Sequence, residues 1–426
     1  MYLSTVRTPR PKTGGGTLRR VVTGNVLALG LVSMVTDVSS EMVTAIMPAY
    51  LVLGLHLSMV GYGVVDGLYQ GITAVTRLIG GYVADRLRAR KLVAGMGYGL
   101  SALAKLGLLT VGRSIGGISA MLAVDRIGKG VRTAPRDALI SVSAPPDALG
   151  AAFGVHRTMD AIGAFLGPLV ALLVLSATGQ AYDAVFVVSF CIAVLGVILL
   201  ALFVRERTDT LPTKERPGEP LRAHGTFLEA LNLLRDNRFR RIQLAAILLG
   251  LVTVGDGFVY LTLQQREDFP VHWFPLLAVG LNLVYLALAG PVGVLADRIG
   301  RWRVVLGGHV ALLLVYVSLT GGAAGWFAVL IPIALYGVFY AATDGVLMAL
   351  AGPVLPTHLR TTGIALLQTG QALAYLVSSV AFGAIWQFDS RTHAAWAAAV
   401  GVLIALPFSA LLLRRAAHQA EVLTTS

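Results

Sequence analysis

Asp125-Arg126-Ile-Gly-Lys129-Gly-Val-Arg132-Thr-Ala-Pro135-Arg136-Asp137 sets four cations and two carboxylates inside an otherwise apolar stretch. At about 100° per residue all six fall within less than half of a helix circumference, so they can share one face. An unpaired ion in hydrocarbon costs several kcal/mol, so such a face lines a water-filled interior or joins an ion-pair network. In an earlier run Asp37 and Glu41 are four residues apart, flanked by Ser39 and Ser40 and followed by Pro48. A carboxylate near an arginine can alternate between an ion pair and a protonated, released acid. That is the chemistry of proton coupling, for which Asp37, Glu41, Arg126 and Asp160 are the candidates. The plainer reading of Arg132, Arg136 and Asp137 puts them at a cytoplasmic helix end, paired with neighbouring loops. Mutual pairing also accounts for most of the remaining acids and bases of this half, Arg77 and Lys105 included.

A second constellation has a different character. Asp256 with Tyr260, Asn282 with Tyr285, Tyr336 and Tyr340 with Asp344, and Gln368 and Gln371 with Tyr375 recur at helical spacing, without a deep Lys or Arg to answer the two acids. Aromatic faces, amides and carboxylates suit an amphipathic or cationic organic solute, held by stacking, cation–π attraction and hydrogen bonds. Interhelical packing with satisfied hydroxyls explains a tyrosine stripe equally well. From the first half Asp66 and Gln70, four apart, together with Lys129 and Arg157, join the candidate solute contacts. Arg157 and Asp160 are three apart and can pair on one face.

These residues need long apolar elements to carry them. The chain is 56% hydrophobic, 13% charged and has a mean hydropathy of +0.75, which excludes a soluble domain. Its 48 glycines suit closely packed membrane helices. Apolar runs predict about twelve spans of ~20 residues or more: 23–54, 59–83, 92–113, 118–140, 151–176, 184–204, 242–265, 275–296, 304–325, 326–350, 362–386 and 394–413. Arg7, Arg10, Lys12, Arg19 and Arg20 precede the first span without an acid, and the Gly54–Ser58 loop is uncharged, which puts the N-terminus in the cytoplasm. An even number of spans returns the C-terminus to the same side. The first run is too long and too polar for a cleaved signal peptide and reads as a retained helix. The +12 net charge comes from cations beside the spans, where they orient helices, and so does not point to nucleic acid. A single Cys191 excludes an intrachain disulfide and reads as a small packing residue. His156 and His309 are isolated and read as structural, so no metal site is expected. The only long polar interval, 205–241, divides a basic segment 1–21 and a first set of spans, 22–204, from a second set, 242–415, and a tail, 416–426. Its later part, from Phe227 to Arg235, has helical apolar spacing and can lie along the membrane surface.

Two loops repeat one another. Gly293-Val-Leu-Ala-Asp297-Arg298-Ile-Gly300-Arg301 follows the eighth span, and Gly81-Tyr-Val-Ala-Asp85-Arg86-Leu-Arg88 follows the second, with Arg88 where the later copy has glycine. This resembles the repeated loop motif of the major facilitator superfamily. Arg126 and Gly130 resemble that family's fourth-helix pattern, with Lys129 where glutamine is frequent, and Gly163-x-x-x-Gly167-Pro168 resembles the core of its antiporter motif, with Ala171-Leu172 in place of a trailing glycine pair. The resemblance implies an all-α membrane protein, with twelve transmembrane helices in two pseudo-symmetric six-helix bundles. It implies gating roles for Gly81, Asp85, Arg86, Gly163, Gly167, Pro168, Gly293, Asp297 and Arg298, and a proton-coupling role for Arg126. The implied activity is secondary transport by alternating access, without covalent chemistry or cofactor, by a monomer in the cell membrane. Lacking a nucleotide-binding loop, the chain is expected to use protons. Export of an amphipathic drug or metabolite is the leading expectation. Uptake of an organic anion or siderophore by the cations of the fourth span is the runner-up, and a receptor without transport is the alternative from another class.

Overall fold

The computed structural model describes residues 24–87, 89–144, 149–206, 232–321, 325–356 and 359–425, without the side chains of 74, 77–87, 150, 360, 361 and 417–425. Among these residues there are fourteen α-helices and no strand. The N-terminal half of the sequence supplies α1 (Gly24–Ala49, continued by a π-helical turn Tyr50–Gly54), α2 (Met59–Leu87), α3 (Arg90–Thr110), α4 (Ile115–Ser143), α5 (Leu149–Ala177) and α6 (Tyr182–Phe203). The C-terminal half supplies α7 (Asn237–Gly250), α8 (Asp256–Glu267), α9 (Phe274–Ile299), α10 (Arg301–Thr320), α11 (Trp326–Thr343), α12 (Val346–Ala351), α13 (Arg360–Phe388) and α14 (Arg391–Thr425).

Fourteen helices make twelve spans because two spans are broken. The seventh, expected as one helix over 242–265, is interrupted at 251–255 between Gly250 and Asp256. The tenth, expected over 326–350, breaks at Asp344 and Gly345, and Gly345 has a φ of 77° that a side chain would strain. Nine described helices are long and apolar enough to cross a membrane. Helix α4 is not among them because of its own ions, and α7 and α8 are each too short. Helix α7 begins at Asn237, five residues before the expected span, because the Asp236 side chain accepts from the Arg238 and Phe239 amides at 2.6 and 3.2 Å. That cap satisfies two orphan donors and fixes the start. Of the expected surface helix in the linker, Asn232 is helical and Leu233–Arg235 forms one 3₁₀ turn; its earlier part lies outside the described residues.

The chain divides into two compact units. One holds Tyr2–Ile46 with Val75–Pro220, the other Met47–Ala74 with Leu221–Ser426. Residues 47–74, which the sequence reading puts with the first six spans, group here with the C-terminal helices. In the first unit α3 and α4 meet backbone to backbone. A Cβ on Gly97 would strike Gly128 O, and one on Gly128 would strike Gly97 O, so only glycine at both allows this approach. The crossing brings Ser101 and Lys105 of α3 against the ionic face of α4. In the second unit α7, α10, α13 and α14 close around a core that includes Phe239, Ile242, Leu249 and Val305.

Candidate functional site

In the first unit the ionic face of α4 is turned inward and answered by acids and hydroxyls from two neighbours, α1 and α3. Asp125, 8% exposed, divides its two oxygens. Its Oδ1 accepts from Lys105 Nζ at 3.0 Å and from Ser101 Oγ, and its Oδ2 accepts from Arg126 Nε at 3.1 Å and from Nη2. Arg132 is 2% exposed, lies 4.5 Å above the Tyr98 ring and donates to Asp37 Oδ1 at 3.4 Å. Lys129 Nζ is 3.6 Å from Glu41 Oε1. Arg136 donates to Ser33 Oγ at 2.9 Å and to the neighbouring Asp137. Glycine brings α5 in just as closely: a Cβ on Gly163 would meet Met34 O and the Asp37 side chain, and one on Gly167 would meet Glu41 and Val38 O. Pro168 lies inside α5 just beyond them.

This arrangement corrects the sequence reading in three places. The arginine beside Asp37 is Arg132, and Arg126 is held by its own neighbour Asp125. Arg132 is a buried partner of α1, whereas the plainer expectation put it at a helix end. Asp160 lies 3.7 Å from His156 Nδ1, four residues earlier, while Arg157 is exposed. Asp125, Lys105 and His156 were not among the expected site residues. The signal for them was Asp125 beside Arg126 and the i,i+4 spacing of His156 and Asp160, which faces one side of a helix better than the i,i+3 alternative.

In the second unit the centre is the broken seventh span. A break frees backbone groups that hydrocarbon cannot satisfy. Tyr316 Oη donates to Val252 O at 3.0 Å and accepts from Val254 N at 2.9 Å, and Tyr336 Oη donates to Val254 O at 2.6 Å. Asp256 opens α8, and its own carboxylate accepts from the Gly257 amide at 2.9 Å. Asp66 of α2 accepts from Tyr375 Oη at 2.7 Å and from Ser379 Oγ at 2.9 Å, both on α13. Asp66, Tyr340 and Asp256 all lie within electrostatic reach of the Tyr375 hydroxyl. Tyr340 packs edge-on against Tyr336, with ring centroids 5.2 Å apart. Asp344 is exposed and accepts from Tyr285 at 2.8 Å. Asn282, Gln368 and Gln371 are half-buried, and Gln70 is exposed. Tyr260 is 3% exposed, with its ring against Phe274, a packing position.

A family model for the Major Facilitator Superfamily matches residues 29–281. The chain belongs to that superfamily. A superfamily-type transporter of Methanocaldococcus jannaschii is 29% identical over 381 residues, covering 87% of this chain and 90% of that protein. A Mycobacterium tuberculosis protein is 32% identical over 157 residues, 37% of this chain and 38% of its own length. Among solved structures the nucleoside transporter NupG is similar with a TM-score of 0.72 at 14% identity, covering 93% of this chain and 99% of that one. A bacterial homologue of the human lysosomal transporter Spinster, inward-facing and unoccupied, gives 0.71 at 16% identity, covering 94% and 98%. A D-xylose–proton symporter gives 0.69 at 14%, covering 91% and 96%. These likenesses show the fold, twelve transmembrane helices in two pseudo-symmetric six-helix bundles of a multi-pass membrane transporter.

The superfamily's repeated loop is described in its second copy. Arg301 Nη2 reaches Asp297 Oδ1 at 3.0 Å, and its Nη1 donates to Ala349 O at 2.7 Å, so the loop grips the C-terminal end of α12. Gly300, with a φ of 102°, turns the chain between α9 and α10. Arg298 is exposed. A Cβ at Gly293 would meet no described atom within 4 Å. In the first copy the side chains of Gly81, Asp85 and Arg86 lie outside the described residues. What is described is the start of α3, where the Lys91 amide donates to Glu206 Oε2 at 2.8 Å and Lys91 Nζ to Ala201 O at 2.9 Å.

Proposed function

We propose that this transporter is a proton-driven exporter of amphipathic organic cations, working by alternating access in the cell membrane as a monomer with both termini in the cytoplasm. The observation that carries this reading is the segregation of charge. Lys105, Arg126, Lys129, Arg132 and Arg136 each lie against a carboxylate. Asp66 and Asp344 instead accept from tyrosine and serine hydroxyls. A solute cation entering the aromatic cluster meets carboxylates and π faces with no competing ammonium in these pairs. An organic anion at α4 would have to displace a bound carboxylate, which disfavours uptake of an anion or siderophore. Within this reading Asp66, Asp256, Tyr340, Asp344 and Tyr375 hold the solute, and Asp37, Glu41, Arg126 and Asp160 belong to the proton-responsive network. A solved structure of similar fold is named a D-xylose–proton symporter, which supports the proton reading.

The test is flux in proteoliposomes of the purified full chain, with ethidium and a panel of organic cations and anions, with and without an imposed pH gradient. Gradient-stimulated movement of cations is expected. Movement confined to anions, or movement indifferent to the gradient, overturns the cation or the proton assignment respectively.

A further inference from the structure

His156 is 1% exposed and lies one helical turn before Asp160 on α5. The nearest approach of the pair, Nδ1 to Oδ2, is 3.7 Å. The outer atom of each, His156 Nε2 and Asp160 Oδ1, is buried without a hydrogen-bond partner among the described residues. A buried polar atom left unsatisfied costs about 1 to 3 kcal/mol. Two such atoms on adjoining side chains, one basic and one acidic, mark a buried polar pair that the described side chains leave incompletely satisfied. Every charged group around it already has a partner or faces outward. From α4 come Arg136, bound to Ser33 and Asp137, and Asp137 itself; from α1 comes Asp37, bound to Arg132; on α5, Arg157 is exposed. Tyr98 of α3, under Arg132, has a buried hydroxyl that also lacks a described partner.

We propose that His156 and Asp160 together form one proton-binding site of the transport cycle. Loading adds one proton and no electrons. A carboxylate beside a neutral imidazole becomes either an imidazolium–carboxylate pair or a carboxylic acid donating to Nδ1, and the local charge rises by one in both cases. The proton is lost again to water when the site's access changes. The placement gives it leverage. Gly163, one turn beyond Asp160, rests on Met34 and on the Asp37 side chain, so a change of charge at Asp160 acts where α5 bears on α1 and beside the Asp37–Arg132 pair.

The inference rests on the proton-coupled reading above, and its test separates the two. Histidine-¹⁵N NMR of the full-length protein needs no solute, and among eight histidines the His156 signal is the one lost in His156→Gln. In the wild type that signal is expected to respond to pH as the pair takes up its proton. Its midpoint, which belongs to the pair, should fall by about one unit or more in Asp160→Asn and return in Asp160→Glu. A His156 signal that does not respond to pH, or a midpoint indifferent to Asp160→Asn, overturns the site even if wild-type flux follows the pH gradient. A titrating pair in a transporter whose flux ignores the gradient leaves the site standing and removes the coupling reading.

Discussion

Asp125 shows how a membrane interior makes one carboxylate serve two cations. Its oxygens are divided between Lys105 and Arg126, and all three side chains are nearly closed to solvent. Breaking a buried pair by removing one partner leaves an uncompensated charge and costs about 3 to 5 kcal/mol. Asp125→Asn removes the carboxylate that two cations share, whereas Lys105→Met leaves Asp125 its arginine. Thermal unfolding in detergent is therefore expected to show a clearly larger loss for Asp125→Asn than for Lys105→Met, with the double variant milder than the sum. Equal melting of Asp125→Asn and wild type would remove this carboxylate from the network. The sequence exposed the ionic face of α4 but not its pairing. A charge on a helix has partners three or four residues away on its own helix and others on neighbouring helices, and only the packing of α1, α3 and α5 chooses among them. That is why Asp37 was expected near Arg126 and lies against Arg132, one and a half turns further along.

At the level of the element the broken seventh span carries the most information. Gly250 and Gly255 bracket a stretch with Val252, Thr253 and Val254, yet its hydropathy is that of a continuous helix and so is the expectation read from it. The interruption persists because Tyr316 and Tyr336 supply the hydrogen bonds the backbone lost, which also gives these two tyrosines a structural duty. Tyr336→Phe leaves the Val254 carbonyl without that donor, at a cost of about 1 to 3 kcal/mol, and Tyr316→Phe strands both Val252 O and Val254 N. Melting temperatures should fall in the order wild type, Tyr336→Phe, Tyr316→Phe. Were Tyr316→Phe the more stable of the two variants, the hydroxyls would not be what holds the break. Elsewhere the spans were legible to within a few residues, as with 59–83 against Met59–Leu87 and 362–386 against Arg360–Phe388. The helices run past the apolar runs because their ends carry polar residues, which hydropathy counts as loop.

For the whole molecule the telling contact is that of α2 with α13, elements from opposite halves of the sequence that fall in one compact unit. A Cβ on Gly63 would strike Ser379 O, and one on Gly67 the Leu376 backbone, so the two helices touch along a glycine edge fastened by Asp66. Alternating access in a transporter built of two bundles requires contacts between helices of different halves to form in one state and part in the other. The glycine edge makes close approach cheap in this state without adding a covalent or ionic tie. A bulkier residue should shift the population toward the parted state, because it penalises one arrangement and leaves the other untouched. Ser379 is 0% exposed here, and the native Cys191 is exposed and can be replaced by serine to give a background for labelling. In that background Ser379→Cys should react slowly with a membrane-impermeant maleimide, and adding Gly67→Leu should speed the reaction several-fold while lowering flux. Gly71→Leu, where a Cβ would meet no described atom within 4 Å, is the matched control and should leave labelling near its starting rate. If Gly67→Leu labels no faster than that control, the α2–α13 edge does not part during the cycle, and the moving contact must be sought elsewhere in the chain.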